Sequence, residues 1–113
     1  MDITVFQVLG DPMRFRIVEA LRTGEHAVND LVEKVAINQS GVSRHLRILH
    51  EAGFVQVRPL GQQRFYSLRP EPFRDLEAWI NTYRQFWEAR LDKFAEALQR
   101  RQGARTGKKG KSK

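Results

Sequence analysis

Apolar residues recur along this chain with two periods, and the switch between them separates a run of short helices from a hairpin and a long last helix. Residues 3–9 are apolar enough for a short helix that Gly10 ends. Asp11-Pro12 restarts the pattern, since aspartate can cap the free N–H groups of a first turn and proline suits a position that needs no donor. That second helix carries Ile17, Val18 and Leu21 and stops near Gly24. Val28, Leu31, Val32 and Val35 keep helical spacing over residues 28–35, with Asn29 and Asp30 at the N-terminal end. Ala36-Ile37-Asn38 is a short turn. Asn38 can cap the next helix, over residues 39–52, whose Val42, Leu46 and Leu49 share one face before Gly53 ends it.

After Gly53 the period falls to two. Residues 54–58 alternate, Pro59-Leu60-Gly61-Gln62 turns, and residues 64–68 alternate again, which is a β-hairpin. From about Glu71 to Arg100 the helical period returns, with Phe73, Leu76, Ile80, Tyr83, Trp87, Leu91, Phe94 and Leu98 three or four apart. The fold class is mainly α with a small β-hairpin. Its order of elements is that of a winged helix-turn-helix domain, in which the short turn before residue 39 sets the crossing that exposes the following helix.

Charge narrows the picture once it is located. The 113 residues carry a formal charge of +7, which invites a nucleic-acid partner. Residues 1–99, read as the folded domain, hold 13 basic and 13 acidic residues and are neutral. All the excess lies in residues 100–113, a Gly/Lys/Arg/Ser segment read as a disordered basic tail. That tail could be a solubilising end or a nonspecific phosphate-binding arm. Within the body, residues 38–69 hold five arginines against Glu51 alone, a balance of +4 between two acidic flanks. The absence of cysteine excludes disulfides and thiolate metal sites. No stretch reads as a signal peptide or membrane span, so the expected setting is cytoplasmic, with no membrane partner.

Three blocks of residues carry a family resemblance. They are Leu9-Gly10-Asp11-Pro12 with Arg14, the run from Gln39 to Leu49, and Glu51-Ala52-Gly53-Phe54-Val55. Together they resemble the ArsR-type family of bacterial winged-helix repressors. The ending Trp79, Tyr83-Arg84, Phe86-Trp87 and Arg90-Leu91 resembles a metal-free branch of that family. The resemblance implies a homodimeric repressor that reads a palindromic operator in double-stranded DNA, with the helix 39–52 of each subunit in the major groove.

By position, the resemblance places Gln39, Ser40, Ser43, Arg44 and His45 against DNA. The chemistry fits, because hydroxyls near a helix start can reach phosphate oxygens and arginine can pair with guanine. Gln39 could read adenine, and His45 could donate or accept. Arg47, with Arg58 and Arg64 beside the hairpin tip, completes the candidate DNA-binding set. Taken singly, each has a plainer use: the serines could solvate a surface, and Arg44 or Arg47 could pair with Glu51. The hairpin tip, Leu60-Gly61-Gln62-Gln63, lacks the basic residues usual in wings of this family, so a shallower contact or one made by glutamine is expected. Gly41 suits a close approach to the backbone.

Six of the eleven aromatic residues lie between Phe73 and Phe94. A helix of this length spans about 45 Å, more than a small domain can cover, so part of its apolar face should meet a second copy of the chain. The expected dimer interface is Phe6, Leu76, Trp79, Ile80, Tyr83, Phe86, Trp87, Leu91 and Phe94. The same cluster could hold a small apolar effector, whose identity the sequence does not give. His26, His45 and His50 are scattered, so neither a metal site nor a cofactor is expected, although His26 with Asp30 or Glu25 could hold an ion weakly. Ser43 and His45 point to different helix faces and cannot pair in catalysis, so no enzyme is expected. Two other classes remain: a winged-helix protein-interaction module, and a nonspecific nucleic-acid binder driven by the tail.

Overall fold

The computed structural model describes residues 2–106, with side chains described to residue 103. Five helices and three strands follow in order: α1 (Thr4–Leu9), α2 (Pro12–Leu21), β1 (His26–Ala27), α3 (Val28–Val35), α4 (Gln39–Glu51), β2 (Val55–Leu60), β3 (Gln63–Leu68) and α5 (Glu71–Thr106). The chain divides into two compact units, Leu76 closing the first and Glu77 opening the second.

Short helices have little stability alone, so their ends matter. Asp11 caps α2, its carboxylate accepting from the N–H groups of Met13 at 2.8 Å and Arg14 at 3.1 Å, with Pro12 in the first turn. Ala36 ends α3 in the left-handed conformation, with φ 59°, which an L-residue other than glycine adopts at a cost of about 1–2 kcal/mol. Gly53, at φ 82°, closes α4: its N–H donates to the His50 carbonyl and the N–H of Phe54 to that of Leu49. This pair of hydrogen bonds around a left-handed glycine is a Schellman motif. It turns Phe54 into the core, where its ring meets Phe73 edge-on at 5.8 Å.

The core of the first unit is built from Ile17, Val18 and Leu21 of α2, Leu31 and Val35 of α3, and Val42, Leu46 and Leu49 of α4. Val5 and Val8 of α1 and Val55 of β2 complete it, and Leu76 packs half-buried against its edge.

The strands form an antiparallel sheet in the order β1-β3-β2. Strand β1 has no counterpart in the sequence reading, because two residues are too short for a period. The hairpin also differs from the expected four-residue turn. Pro59 and Leu60 belong to β2, and only Gly61-Gln62 lie between the strands. Gly61 has φ 62°, as a two-residue turn of type II′ requires at its first position. Pro59 is tolerated because β2 is an edge strand.

Helix α5 runs through Arg100 to Thr106, a segment the sequence reading assigned to the tail. Arginine, glutamine and alanine are good helix formers, and a single Gly103 costs only about 1 kcal/mol. Residues 107–113, the rest of the expected tail, lie outside the described residues.

Ala36→Gly should raise the unfolding free energy by about 0.5–1 kcal/mol, the relieved strain exceeding the added chain entropy. The Asp11 carboxyl is held below the ordinary aspartate range, chiefly by the Arg14 N–H, with burial opposing and the Met13 N–H and Arg14 charge adding. A depressed folded value means that the cap stabilises above the unfolded value and that this is lost as pH falls through the folded one. Asp11→Ala should therefore lose about 1 kcal/mol at neutral pH, and Asp11→Asn should show a flatter acid limb, both read from urea unfolding.

Candidate nucleic-acid interface

Successive residues of an α-helix are about 100° apart around its axis, so burying one stripe decides what every other residue faces. In α4 the buried stripe is Val42, Leu46 and Leu49, none of which retains any exposure. Ser40, Arg44 and Arg47 lie on the opposite side and Ser43 at its edge, all exposed. Arg44 and Arg47 meet no carboxylate among the described residues, and neither pairs with Glu51. Their charge is uncompensated locally.

The flanks of α4 differ. Gln39 and Ser43 face a cleft of about 390 Å³ shared with Ala27, Val28 and Asn29 before and on α3, and with Gln62, Gln63, Arg64 and Tyr66 of the hairpin. On the other flank, His45 turns toward α2 and is half-buried. Its Nδ1 lies 3.4 Å from Nη1 of Arg14, which can only donate, so Nδ1 is the accepting nitrogen. Arg14 also donates from Nε to the Val8 carbonyl at 2.8 Å and from Nη2 to that of Gln7 at 3.5 Å, and lies 3.9 Å from Asp11. One guanidinium thus joins the end of α1, the cap of α2 and the flank of α4. His45 is accordingly separated from the stripe of Ser40, Arg44 and Arg47 with which the sequence reading grouped it.

The cap of α4 accounts for two more residues. The Asn38 side-chain oxygen accepts from the Gly41 N–H at 2.6 Å and from the Ser40 hydroxyl at 3.0 Å. Ser40 has therefore committed its proton and keeps only lone pairs, which suit a donor rather than a phosphate oxygen; Ser43 keeps its proton free among the described residues. A Cβ at Gly41 would stand 3.0 Å from that same Asn38 oxygen. The close approach that suits glycine here is to the cap.

The two hairpin arginines lie on opposite faces. In the ladder Arg58 is opposite Phe65 and Pro59 opposite Arg64, and side chains alternate along each strand. Arg64 shares a face with Tyr66 and lines the cleft beside α4. Arg58 is on the other face. Its Nε and Nη2 donate to the two carboxylate oxygens of Glu25 at 2.9 and 2.8 Å, and its guanidinium carbon lies 5.2 Å from the centre of the Phe65 ring. That pairing lowers the Glu25 carboxyl from its ordinary value and raises the Arg58 guanidinium. Glu25 is thereby taken from the weak ion site considered with His26, whose Nε2 is 3.1 Å from the Thr23 hydroxyl. Among the described residues no group of three or more His, Cys, Asp or Glu could hold a metal.

Beyond Leu76 every described side chain of α5 is exposed, including Trp79, Ile80, Tyr83, Phe86, Trp87, Leu91 and Phe94, each at least 40% accessible. Trp79 and Tyr83 stack edge-on at 5.1 Å, and Arg90 lies over Phe86 at 4.3 Å. Phe6 is exposed on α1. No described helix is long and apolar enough to cross a membrane.

Comparison with known proteins identifies this arrangement. The family model for bacterial regulatory proteins of the arsR family matches residues 11–57, from the α2 cap into β2. The HTH-type transcriptional regulator Rv2034 of Mycobacterium tuberculosis is 33% identical over 93 residues, 82% of this chain and 84% of that protein. The chain belongs to the ArsR family. It is a DNA-binding transcriptional regulator of that family, not an enzyme. The transcriptional repressor SdpR of Bacillus subtilis is 32% identical to this ArsR-family chain over 76 residues, 67% of the chain and 84% of the repressor. The solution structure of the homodimeric winged helix-turn-helix DNA-binding domain Mb0332 of Mycobacterium bovis superposes with a TM-score of 0.59 at 26% identity, covering 72% of this chain and 75% of that one.

Sequence reasoning missed Arg14 as a bridge, Glu25 as the partner of Arg58, and Asn29 and Tyr66 in the cleft. All four depend on contacts between distant segments. The Asn38 cap carries its own check: Asn38→Ala should cost about 1 kcal/mol in urea unfolding, whereas Ser40→Ala should stay within about 0.5 kcal/mol of wild type.

Proposed function

We propose that this ArsR-family chain is a homodimeric repressor that reads a palindromic operator with α4, acting in the cytoplasm where the DNA is. One observation carries the reading: α4 buries one stripe completely and offers Ser43, Arg44 and Arg47 on its exposed side, beside a cleft that Arg64 lines from the hairpin. Arg44 is the candidate for bidentate pairing with guanine, and Gln39 for adenine. Ser43, Arg47 and Arg64 supply phosphate contacts that fix the register. Ser40 serves the cap, and His45 sits at the rim as the receiver of Arg14. Arg58, held by Glu25, contributes to the shape of the hairpin.

Helix α5 supplies the surface for a second copy. Its stripe of Trp79, Ile80, Tyr83, Phe86, Trp87, Leu91 and Phe94 is a large exposed apolar surface, of the kind that marks a partner. The similarity to a homodimeric domain supports a second copy as that partner, and Phe6, exposed on α1, is a separate candidate contact for it. Leu76 is left out because it packs against the core of its own unit. Two reading helices related by a two-fold axis then meet successive major grooves about 34 Å apart. The lack of cysteine, which leaves no thiolate ligand in the sequence, supports a branch of the family that works without a metal.

Selection of bound sequences from random duplexes, with the full chain and with a chain ending at residue 99, tests the reading. An enriched, roughly palindromic motif is expected from both. Binding that disappears with residues 100–113 would favour the tail-driven alternative, and no enrichment at all the protein-interaction module. On the enriched duplex, Arg44→Ala should weaken binding about tenfold or more, and His45→Ala by less than about threefold. Sedimentation should give a dimer, and a folded monomer at micromolar concentration would overturn that part.

A further inference from the structure

Arg58 lies on edge strand β2, and Glu25 immediately precedes β1, with β3 between the two strands. To reach Glu25 the Arg58 side chain crosses β3 and rests on Phe65, its direct partner in the ladder. Phe65 is paired on its other side with Ala27 of β1. Both bonds are short and use the two carboxylate oxygens, a fork-to-fork geometry that resists rotation. The resulting bar spans all three strands on the face away from the cleft. On the cleft face of the same ladder stand Arg64 and Tyr66, across from Gln39 and Ser43 of α4. Strand β1 has only two residues, so its backbone bonds alone hold the sheet weakly at that edge.

The geometry points to Arg58 and Glu25 as positioning residues for DNA binding: together they set the tilt of the hairpin, and so the place of Arg64 opposite α4, without either touching DNA. The inference rests on the reading that DNA occupies the α4 and cleft surface. It differs from two simpler accounts. If Arg58 were a phosphate contact, its loss would remove a charge from the interface. If Glu25 merely repelled DNA or sequestered Arg58, its loss would tighten binding.

These accounts separate by sign. The test uses the full chain and a duplex enriched by selection, with affinity measured by fluorescence anisotropy at several salt concentrations and folding checked by thermal midpoint. Glu25→Gln should weaken binding about fivefold, although it removes a negative charge from a protein that binds a polyanion. Arg58→Gln should weaken it similarly with the salt dependence unchanged, whereas Arg64→Gln should lower the slope of log affinity against log salt by about one. The exchanged pair, Glu25→Arg with Arg58→Glu, should recover binding to within about twofold of wild type, since coupled neighbours compensate. Thermal midpoints should stay close to wild type, because an exposed ion pair contributes little to stability. Tighter binding by Glu25→Gln, a slope lowered by Arg58→Gln, or failure of the exchanged pair to recover binding would each overturn the bar. A wild-type chain that enriches no duplex would instead overturn the DNA reading beneath it.

Discussion

Everything about the interface depends on the burial of Val42, Leu46 and Leu49. These three side chains lose all contact with solvent as α4 packs among α2, α3 and β2. Rotation of α4 by about half a turn would expose all three and bury Arg44 in their place. Burying a side chain of this size is worth about 1.5–3 kcal/mol, and burying an unpaired guanidinium costs several more. The apolar stripe therefore acts as a key that admits one orientation. The outward face of Ser43, Arg44 and Arg47 is what remains.

Because α1 to α4 are short, the joints between them carry information that longer helices would hold in their length. Asp11, Asn38 and Gly53 are each used by the backbone at a turn, through bonds that satisfy groups a short helix leaves open. These joints also reach into the interface. The Asn38 cap takes the Ser40 proton, and the Gly53 turn sends Phe54 into the core just before the hairpin starts. Ala36 shows that the turn geometry comes first and the residue second, since it holds a left-handed conformation that glycine would adopt more easily.

Charge is distributed by the same logic. The body is neutral, and each ion pair cancels one charge of each sign, Glu25 with Arg58, Glu71 with Arg69 and Glu19 with Arg22, so the local surface is set by where the unpaired arginines lie. The cations left without carboxylates include Arg44, Arg47 and Arg64, all on the α4 side of the first unit. A local positive surface thus arises from a neutral domain.

Periodicity and turn chemistry were enough to read the order of helices and hairpin, the face that α4 buries, and the caps at Asp11 and Asn38. These are local properties, decided within a few residues of where they act. The absence of cysteine and the +4 balance over residues 38–69 were equally legible, since composition needs no coordinates. The partners of Arg58 and His45, the opposite faces of Arg58 and Arg64, and the two-residue strand β1 were not. Arg58 and Arg64 look alike in the sequence, but a one-residue difference in where the turn begins reverses the face of a strand residue. His45 and Arg14 are 31 positions apart, and Arg58 and Glu25 are 33 apart. Such pairs have no local signature, and only the packing of α2 against α4 and of β1 against β3 brings them together.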